Sequence, residues 1–253
     1  MWLRLFTRRW LVSTVLVLAA AAVMARLGLW QLDRLEQRRT FNTRVLDQQT
    51  AEPLVLDEQT LDLDLYSMEY RRVSVTGHYL PEDEIVLRNQ VWETEFGNEL
   101  GVMLFTPLAI DGTEKAILVE RGWIPDDHAD DRARYVELAT VTVSGQLRRA
   151  ETDFSLTELM RPDPALAPGE ERLDAWNNLD LKRLDQQMDA DLLPVYLQRL
   201  PEGVETEPPF AKPPVLDLSE GSHLGYAMQW FTFATLLLVG YPVYVQRQGS
   251  KKK

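Results

Sequence analysis

Two long apolar segments lie near the ends of the chain. Leu11–Trp30 carries a single charge, Arg26, over the roughly twenty residues that a membrane-spanning helix needs. Leu224–Val245 follows as a run of 22 residues without any charge. The pattern predicts two transmembrane helices, at residues 10–30 and 223–245.

A cleaved signal peptide is the main alternative for the first run, since basic residues precede it and Val23–Ala25 resembles a cleavage site. However, the run passes through Trp30 directly into a pattern with helical spacing. We therefore predict that the same helix leaves the membrane and continues to about Gln49. The spaced residues are Leu32, Leu35, Arg39, Asn42 and Leu46.

Strand-like runs with polar and apolar alternation recur between the two spans. Their short spacing and frequent turn residues favour an antiparallel sheet. The predicted fold is a membrane protein in which two transmembrane helices flank a mainly β, antiparallel, barrel-like extracytoplasmic domain with one or two helices. The runs are Leu54–Leu56, Tyr70–Tyr79, Glu84–Asn89, Val102–Leu108, Ala116–Glu120, Val141–Leu147 and Val195–Leu200.

One helix is expected within this domain, capped by Asn178 and carrying an apolar stripe of Leu181, Leu184 and Met188. Two proline-rich segments are expected to be irregular. Arg161–Glu171 is predicted as a loop, and the five prolines of residues 201–214 should hold the chain extended on its way back to the bilayer.

Charge gives the two spans a direction. Residues 1–30 and 223–253 each carry four basic and no acidic side chains, so the total of −12 leaves −20 in residues 31–222. By the positive-inside rule, residues 1–9 and 246–253 are cytoplasmic and 31–222 is extracytoplasmic. The central domain is too acidic to bind a nucleic-acid backbone, and the expected environment of the spans is membrane lipid.

The chain contains no cysteine, which excludes a disulfide scaffold, a thiolate zinc site and a CxxC redox centre. Metal chemistry is left to His78, His128 and His223, with carboxylates or methionines as further ligands. His128 lies among four aspartates that could hold a divalent cation weakly, but a solvated loop is the favoured interpretation. The aspartates are Asp126, Asp127, Asp130 and Asp131.

His223 is the histidine whose position invites chemistry, because it opens the second span. Spacings of four, three and four residues place it on one helix face with Ala227, Trp230 and Ala234, where a flat apolar ligand could lie. Antiparallel spans bring Gly28, Trp30 and Gln31 to the same depth as His223 and Tyr226. From residue type alone, an interfacial belt of aromatic residues is the favoured interpretation.

Arg26 lies about 6 Å inside the boundary that Trp30 marks. It could simply extend its guanidinium to the interface. Together with His223, however, it would supply the two groups that a haem requires, one for the iron and one for a propionate.

Four segments, taken in order, resemble the SURF1 family. None is specific alone, but the ordered set covers the chain from about Gly28 to Val245. The segments are Gly28–Leu32 with Arg34, Arg121–Pro125, Val143–Arg148 and His223–Phe231.

The resemblance implies a non-enzymatic assembly factor for haem-copper cytochrome c oxidase. Such a chaperone binds haem a as cargo, receives it from haem A synthase and aids its insertion into the catalytic subunit. His223 is then the metal ligand, with Trp230, Tyr226 and Arg26 as further haem-binding candidates. His78 and His128 match no motif of the family.

Two other functions stay open. The protein could be a membrane scaffold that stabilises an oxidase subunit without touching haem, or an enzyme of haem modification. A single membrane-level histidine is a poor basis for the enzyme. The first span follows a short basic segment without an Arg- and Ser-rich presequence, which favours the plasma (inner) membrane of a bacterium with the central domain in the periplasm.

Overall fold

The computed structural model describes residues 7–94, 97–150, 161–166, 169, 172–214 and 216–250. The chain forms two compact units. The helical unit comprises both ends of the chain, up to Arg44 and from Asp217 onward, and the β unit is Val45–Leu216. Arg4 and the terminal lysines, which contribute to the predicted orientation, lie outside the described residues.

Helices and strands have the following bounds in the described part of the chain. The α-helices are α1 (Leu11–Thr50), α2 (Leu181–Gln187) and α3 (His223–Ser250). The strands are β1 (Leu54–Leu56), β2 (Arg72–Tyr79), β3 (Ile85–Thr94), β4 (Gly97–Ile110), β5 (Lys115–Pro125), β6 (Val141–Arg148), β7 (Ala175–Trp176) and β8 (Asp191–Arg199).

The helical unit contains two helices that are long and apolar enough to cross a membrane, in α1 and in His223–Gln248 of α3. The 40 residues of α1 form one helix of about 60 Å, twice the thickness of a hydrocarbon core. The predicted continuation of this helix to about Gln49 is therefore confirmed.

The two helices are antiparallel, and a seven-residue repeat marks the seam between them. On α1 the buried residues recur at Thr14, Ala21, Gly28, Leu35 and Asn42, and among the described side chains of α3 Ala227, Ala234 and Val245 are buried. A seven-residue repeat is typical of left-handed helix pairs, and small residues allow the backbones to approach.

Contacts along this seam fix its register. A Cβ on Gly28 would lie only 2.7 Å from the Phe231 ring, so a larger residue cannot be accommodated there without a shift. Nearer the other end, the Tyr241 hydroxyl lies 2.8 Å from Ser13 Oγ and 2.9 Å from Thr14 Oγ1.

The β unit is built around a closed barrel of five strands in the order β2–β6–β8–β5–β4, which the β2–β4 pairing closes. Only the β5–β8 pair of this ring is parallel. The mainly antiparallel, barrel-like fold is thus confirmed. Its interior is filled by aliphatic side chains of the barrel strands, among them Val75, Leu108, Val119, Val143 and Leu197.

A second hydrophobic layer covers the outside of β4, β5 and β8. It includes Phe105, Leu118 and Trp123 from the strands and Leu181 and Leu184 from α2. Strand β3 extends the sheet next to β4, and the short strand β7 pairs in parallel with β3.

Two details of the structure differ from the sequence expectations. The cap of α2 is Asp180, whose side chain accepts from Lys182 N and Arg183 N, and not Asn178. The short strand β7 is not predicted, because two residues are too few to show an alternation of polar and apolar positions. Of the loop predicted at 161–171, residues 161–166 and 169 are described and contain no helix or strand, and the remaining four lie outside the described residues.

Candidate functional site

His223 is the first residue of α3, and its ring is held by α1. Its Nδ1 lies 2.8 Å from Gln31 Oε1. Because the amide oxygen only accepts, Nδ1 carries the proton and the lone pair of the neutral ring stays on Nε2. A histidine held in this way, with its other ring nitrogen free, is the usual arrangement of a metal ligand. Gln31 and His223, which antiparallel spans were expected to bring together, are thus in direct contact.

The chain before α3 leaves the Nε2 edge of this ring uncrowded. Gly221 has a φ of 66°, which favours glycine, and a Cβ built on it would lie 3.6 Å from His223 Nε2. Ser222 O accepts from Tyr226 N at 3.0 Å and so starts the helix. Tyr226 itself follows one turn later and is half exposed.

The sequence suggests that His223, Ala227 and Ala234 share an open helix face. In the structure this face is covered. Ala227 is 1% exposed and Ala234 7%, because this is the face by which α3 packs on α1. Trp230 lies on the same face and is half-buried, with its ring edge-to-face against Phe233. A flat ligand cannot lie over the alanines while the helices are packed, so it must approach His223 from the side.

Arg26 is not brought to His223. A rotation of about 100° per residue places it about 160° around α1 from Gly28, the residue that contacts α3. Its side chain is exposed and makes no hydrogen bond or ion pair with any described residue. The predicted pairing of a ligand histidine with this arginine therefore finds no support in the geometry.

The segment 217–222 runs along α1 beyond the start of α3. Asn42 Nδ2 donates to Leu218 O at 2.6 Å, and Arg38 donates to Asp217 at 3.1 Å. Arg39 and Glu220 form a two-hydrogen-bond pair at 2.9 Å, and this pairing lowers the pKa of the Glu220 carboxyl. These contacts hold the residues that lead into His223.

In the β unit, Arg121 of the Arg121–Pro125 segment is a buried cation. It is 3% exposed, pairs with Glu137 and Glu84, and lies over the Tyr79 ring at 4.6 Å. Burial raises the pKa of Tyr79 to about 12. Local sequence does not predict that this arginine is buried, since its neighbours in sequence are compatible with either face of a strand.

Gly122 and Trp123 hold the incoming chain of residues 209–210 against β5. Gly122 has a φ of 147°, and a Cβ there would lie 2.5 Å from Phe210 O. Trp123 N donates to Phe210 O at 2.8 Å, and Phe210 N donates to Trp123 O at 2.9 Å. The Trp123 ring stacks with those of Trp92 and Phe210.

A buried polar ladder joins this segment to Val143–Arg148. Gln198 of β8 lies between Glu120 and Gln146 and donates to Glu120 Oε1 at 3.2 Å. Gln146 Nε2 in turn donates to Tyr70 O at 2.6 Å. Burial raises the pKa of the Glu120 carboxyl. Sequence reasoning missed this ladder, because strand pairing and not sequence spacing assembles it.

A cleft of about 510 Å³ opens beside Arg121. Its lining includes Tyr79, Arg121 and Arg199, with Glu137 and Glu205. Both arginines are already paired with these glutamates, at Arg121–Glu137 and Arg199–Glu205. The cleft therefore offers no uncompensated charge from these residues to a ligand.

The other two histidines of the chain belong to the β unit. His78 is exposed and lies 3.9 Å from an Asp111 carboxylate oxygen. His128 Nδ1 bonds to the Tyr135 hydroxyl. In the described ranges no group of three or more His, Asp or Glu side chains is placed to hold a metal ion.

Comparison with known proteins gives matches along most of the chain. The SURF1 family model matches residues 18–235. A SURF1-like protein of Monosiga brevicollis is 26% identical over 93% of this chain and 88% of its own length. A SURF1-like protein of Rickettsia bellii is 25% identical over 93% of this chain and 91% of its own length.

A third relative carries a functional name. The cytochrome oxidase assembly protein SHY1 of Saccharomyces cerevisiae is 32% identical over 44% of this chain and 28% of its own length. Bacterial relatives and the two apolar helices indicate a membrane protein. Since the family model covers residues 18–235 of a chain of 253, this protein belongs to the SURF1 family.

Proposed function

We propose that this protein is a non-enzymatic assembly factor of haem-copper cytochrome c oxidase. Its proposed role is to hold haem a as cargo and to aid its insertion into the catalytic subunit, after receiving it from haem A synthase. Membership of the SURF1 family and the name of the SHY1 relative support the oxidase role.

The observation that carries the haem proposal is the held ring of His223. Gln31 fixes the tautomer with Nε2 free, at the end of a helix pair of membrane-spanning length. Nε2 is the atom that would bind the haem iron. Tyr226, half exposed one turn on, is the aromatic side chain best placed to contact the edge of such a ligand.

A scaffold that stabilises an oxidase subunit without binding haem is the second candidate function. It is favoured by two observations: α1 covers the face of Ala227 and Ala234, and Arg26 points away from α3. A haem-modifying enzyme is less well supported, because the helical unit offers one histidine only.

The test is His223→Ala in protein that is co-expressed with haem a synthesis and purified from membranes. We expect the haem Soret band to be lost or shifted while insertion is unchanged, because alanine suits a spanning helix. Arg26→Leu should weaken haem retention little, since that side chain is turned away from α3.

Matched controls are His78→Ala and His128→Ala, which should leave the spectrum unaltered. If His223→Ala retains a full complement of haem with the same spectrum, the ligand assignment is wrong and the scaffold function becomes the better proposal. Turnover of haem O or haem B by the purified protein would instead support an enzyme.

A further inference from the structure

The contact between Gln31 and His223 lies on one flank of the helix pair. Rotation by about 100° per residue places Gln31 about 60° around α1 from Gly28, which contacts α3. The same count places His223 about 40° around α3 from the buried Ala227. Because the two side chains meet at 2.8 Å, both rotations lead to the same side of the seam.

Two aromatic side chains of α3 lie on this side as well. Tyr226 and Trp230 are about 100° and 60° around α3 from Ala227, in the same direction as His223. Tyr226 is 50% exposed and Trp230 is half-buried. Both follow His223 along the apolar part of α3, at about 4.5 Å and 10 Å. They provide aromatic surface on the membrane side of the imidazole.

Arg34 lies on the same side of the pair, beyond the imidazole in the other direction. It is about 4.5 Å further than Gln31 from the apolar span and about 60° further around α1. Its exposed side chain lies over the Trp30 ring at 5.7 Å and donates to Gln37 Oε1 at 2.9 Å. Since Gln37 is neutral, this hydrogen bond leaves the charge of Arg34 uncompensated.

The neighbouring arginines of α1 differ from Arg34 in charge pairing or in position. Arg38 and Arg39 each pair with a carboxylate of segment 217–222, at 3.1 and 2.9 Å. Arg34 pairs with no carboxylate of the described residues. Arg26 is also unpaired there, but it is turned away from α3 and lies within the apolar span. Of these four arginines, Arg34 alone combines an uncompensated charge with the side on which His223 is held.

We call the residues on this side the His223 flank. They are Gln31, Arg34, His223, Tyr226 and Trp230.

We propose that Arg34 binds the propionate groups of the haem whose iron His223 ligates. The inference rests on the proposed function and adds to it the side of approach and the orientation of the cargo. A haem is a flat apolar ring with two carboxylates on one edge. Along the His223 flank, aromatic surface, imidazole and cation follow one another in the matching order. A guanidinium can bind a carboxylate through two parallel hydrogen bonds, and the packed seam leaves the ring only the flank to lie on.

The test compares haem a with haem a whose two propionates have been converted to methyl esters. Each is titrated into the full chain, purified haem-free in detergent, and the Kd is obtained from the Soret band. Arg34→Leu should raise the Kd for haem a about three- to tenfold, because a charge-assisted hydrogen bond is lost. The Soret maximum should not move, since the imidazole still ligates the iron. The Kd for the ester should be equal in wild type and variant.

Arg26→Leu is the matched control, because it removes an unpaired arginine from the same helix but from the opposite side. It should change neither Kd. Arg34→Lys, which keeps the charge, should weaken the binding of haem a less than Arg34→Leu does.

An unchanged Kd for haem a in Arg34→Leu would overturn the inference. An equal loss of affinity for the ester would also overturn it, because the side chain would then act through packing and not through the carboxylates. His223→Ala separates these results from a failure of the proposed function. If wild type and His223→Ala bind haem a alike, the ligand assignment and this inference fail together; if only Arg34→Leu is without effect, the ligand assignment stands.

Discussion

At the scale of single residues, His223 and Gln31 act as one group. They are 192 positions apart in the chain, yet Gln31 Oε1 is the partner of the ring nitrogen Nδ1. The amide fixes both the orientation and the tautomer of the imidazole. A substitution at Gln31 should therefore weaken binding of a ligand at Nε2 indirectly, through the orientation and tautomer of the imidazole.

Gln31→Leu should weaken haem retention by about 10- to 100-fold, the usual effect of removing the hydrogen-bond partner of a ligand histidine. The measurement is haem occupancy of the purified protein during titration with a competing haem-binding protein. Gln37→Leu is the matched control, because Gln37 is exposed on the same helix and, among the described residues, its side chain hydrogen-bonds only with Arg34. Equal haem retention in both variants would contradict a supporting role for Gln31.

At the scale of elements, the family-like segments meet in pairs. In the helical unit, Gly28–Leu32 contacts His223–Phe231 through the Gln31–His223 and Gly28–Phe231 contacts. In the β unit, Arg121–Pro125 and Val143–Arg148 lie on β5 and β6, on either side of β8. The motifs of the β unit are therefore explained by packing and buried polar pairing within the barrel.

Gly122→Ala should destabilise the β unit strongly, by about 3 kcal/mol or more, since a side chain at this φ is strained and its Cβ would strike Phe210 O. Urea unfolding of the detergent-solubilised chain, followed by tryptophan fluorescence, gives the free energy of unfolding. Gly112→Ala is the control, because Gly112 also has positive φ, 78°, but a Cβ there meets nothing. It should cost only about 1–2 kcal/mol, and an equal loss in both variants would refute the role of the close approach.

The sequence predicted elements well where a period was long enough to read. Both apolar spans, the extension of α1 and the strand within Tyr70–Tyr79 follow from local pattern. It failed where pairing decides. The face of Ala227 and Ala234 has the small, apolar residues of a ligand surface and of a helix seam alike, and only the position of α1 separates the two. Likewise, Glu120 and Gln146 belong to separate strands that Gln198 of β8 joins.

At the scale of the whole molecule, the prediction concerns direction in the membrane. Reporters fused after Arg9 and after Lys253 should be active only in the cytoplasm, and one inserted within Arg161–Glu171 only outside it. The basic side chains at both chain ends and the net charge of −20 in residues 31–222 are the physical reason. An exported C-terminus would contradict this orientation.

The same fusions test the signal-peptide alternative. If the first span is retained, the Arg9 reporter and the remainder of the chain stay in one polypeptide of full size on a denaturing gel. Cleavage near Val23–Ala25 would release the reporter on a separate fragment and remove Thr14 and Ala21 from the α1 side of the seam.

The seven-residue seam also determines which changes of length α1 can accept. Inserting one residue between Ala21 and Gly28 would rotate everything beyond it by about 100°, and Gln31 would point away from His223. Inserting seven would restore the rotation but shift Gln31 by about 10 Å along the axis, while the Tyr241 contacts with Ser13 and Thr14 stay in place. The number of residues between these two contact points is therefore constrained more strongly than the identity of the residues between them.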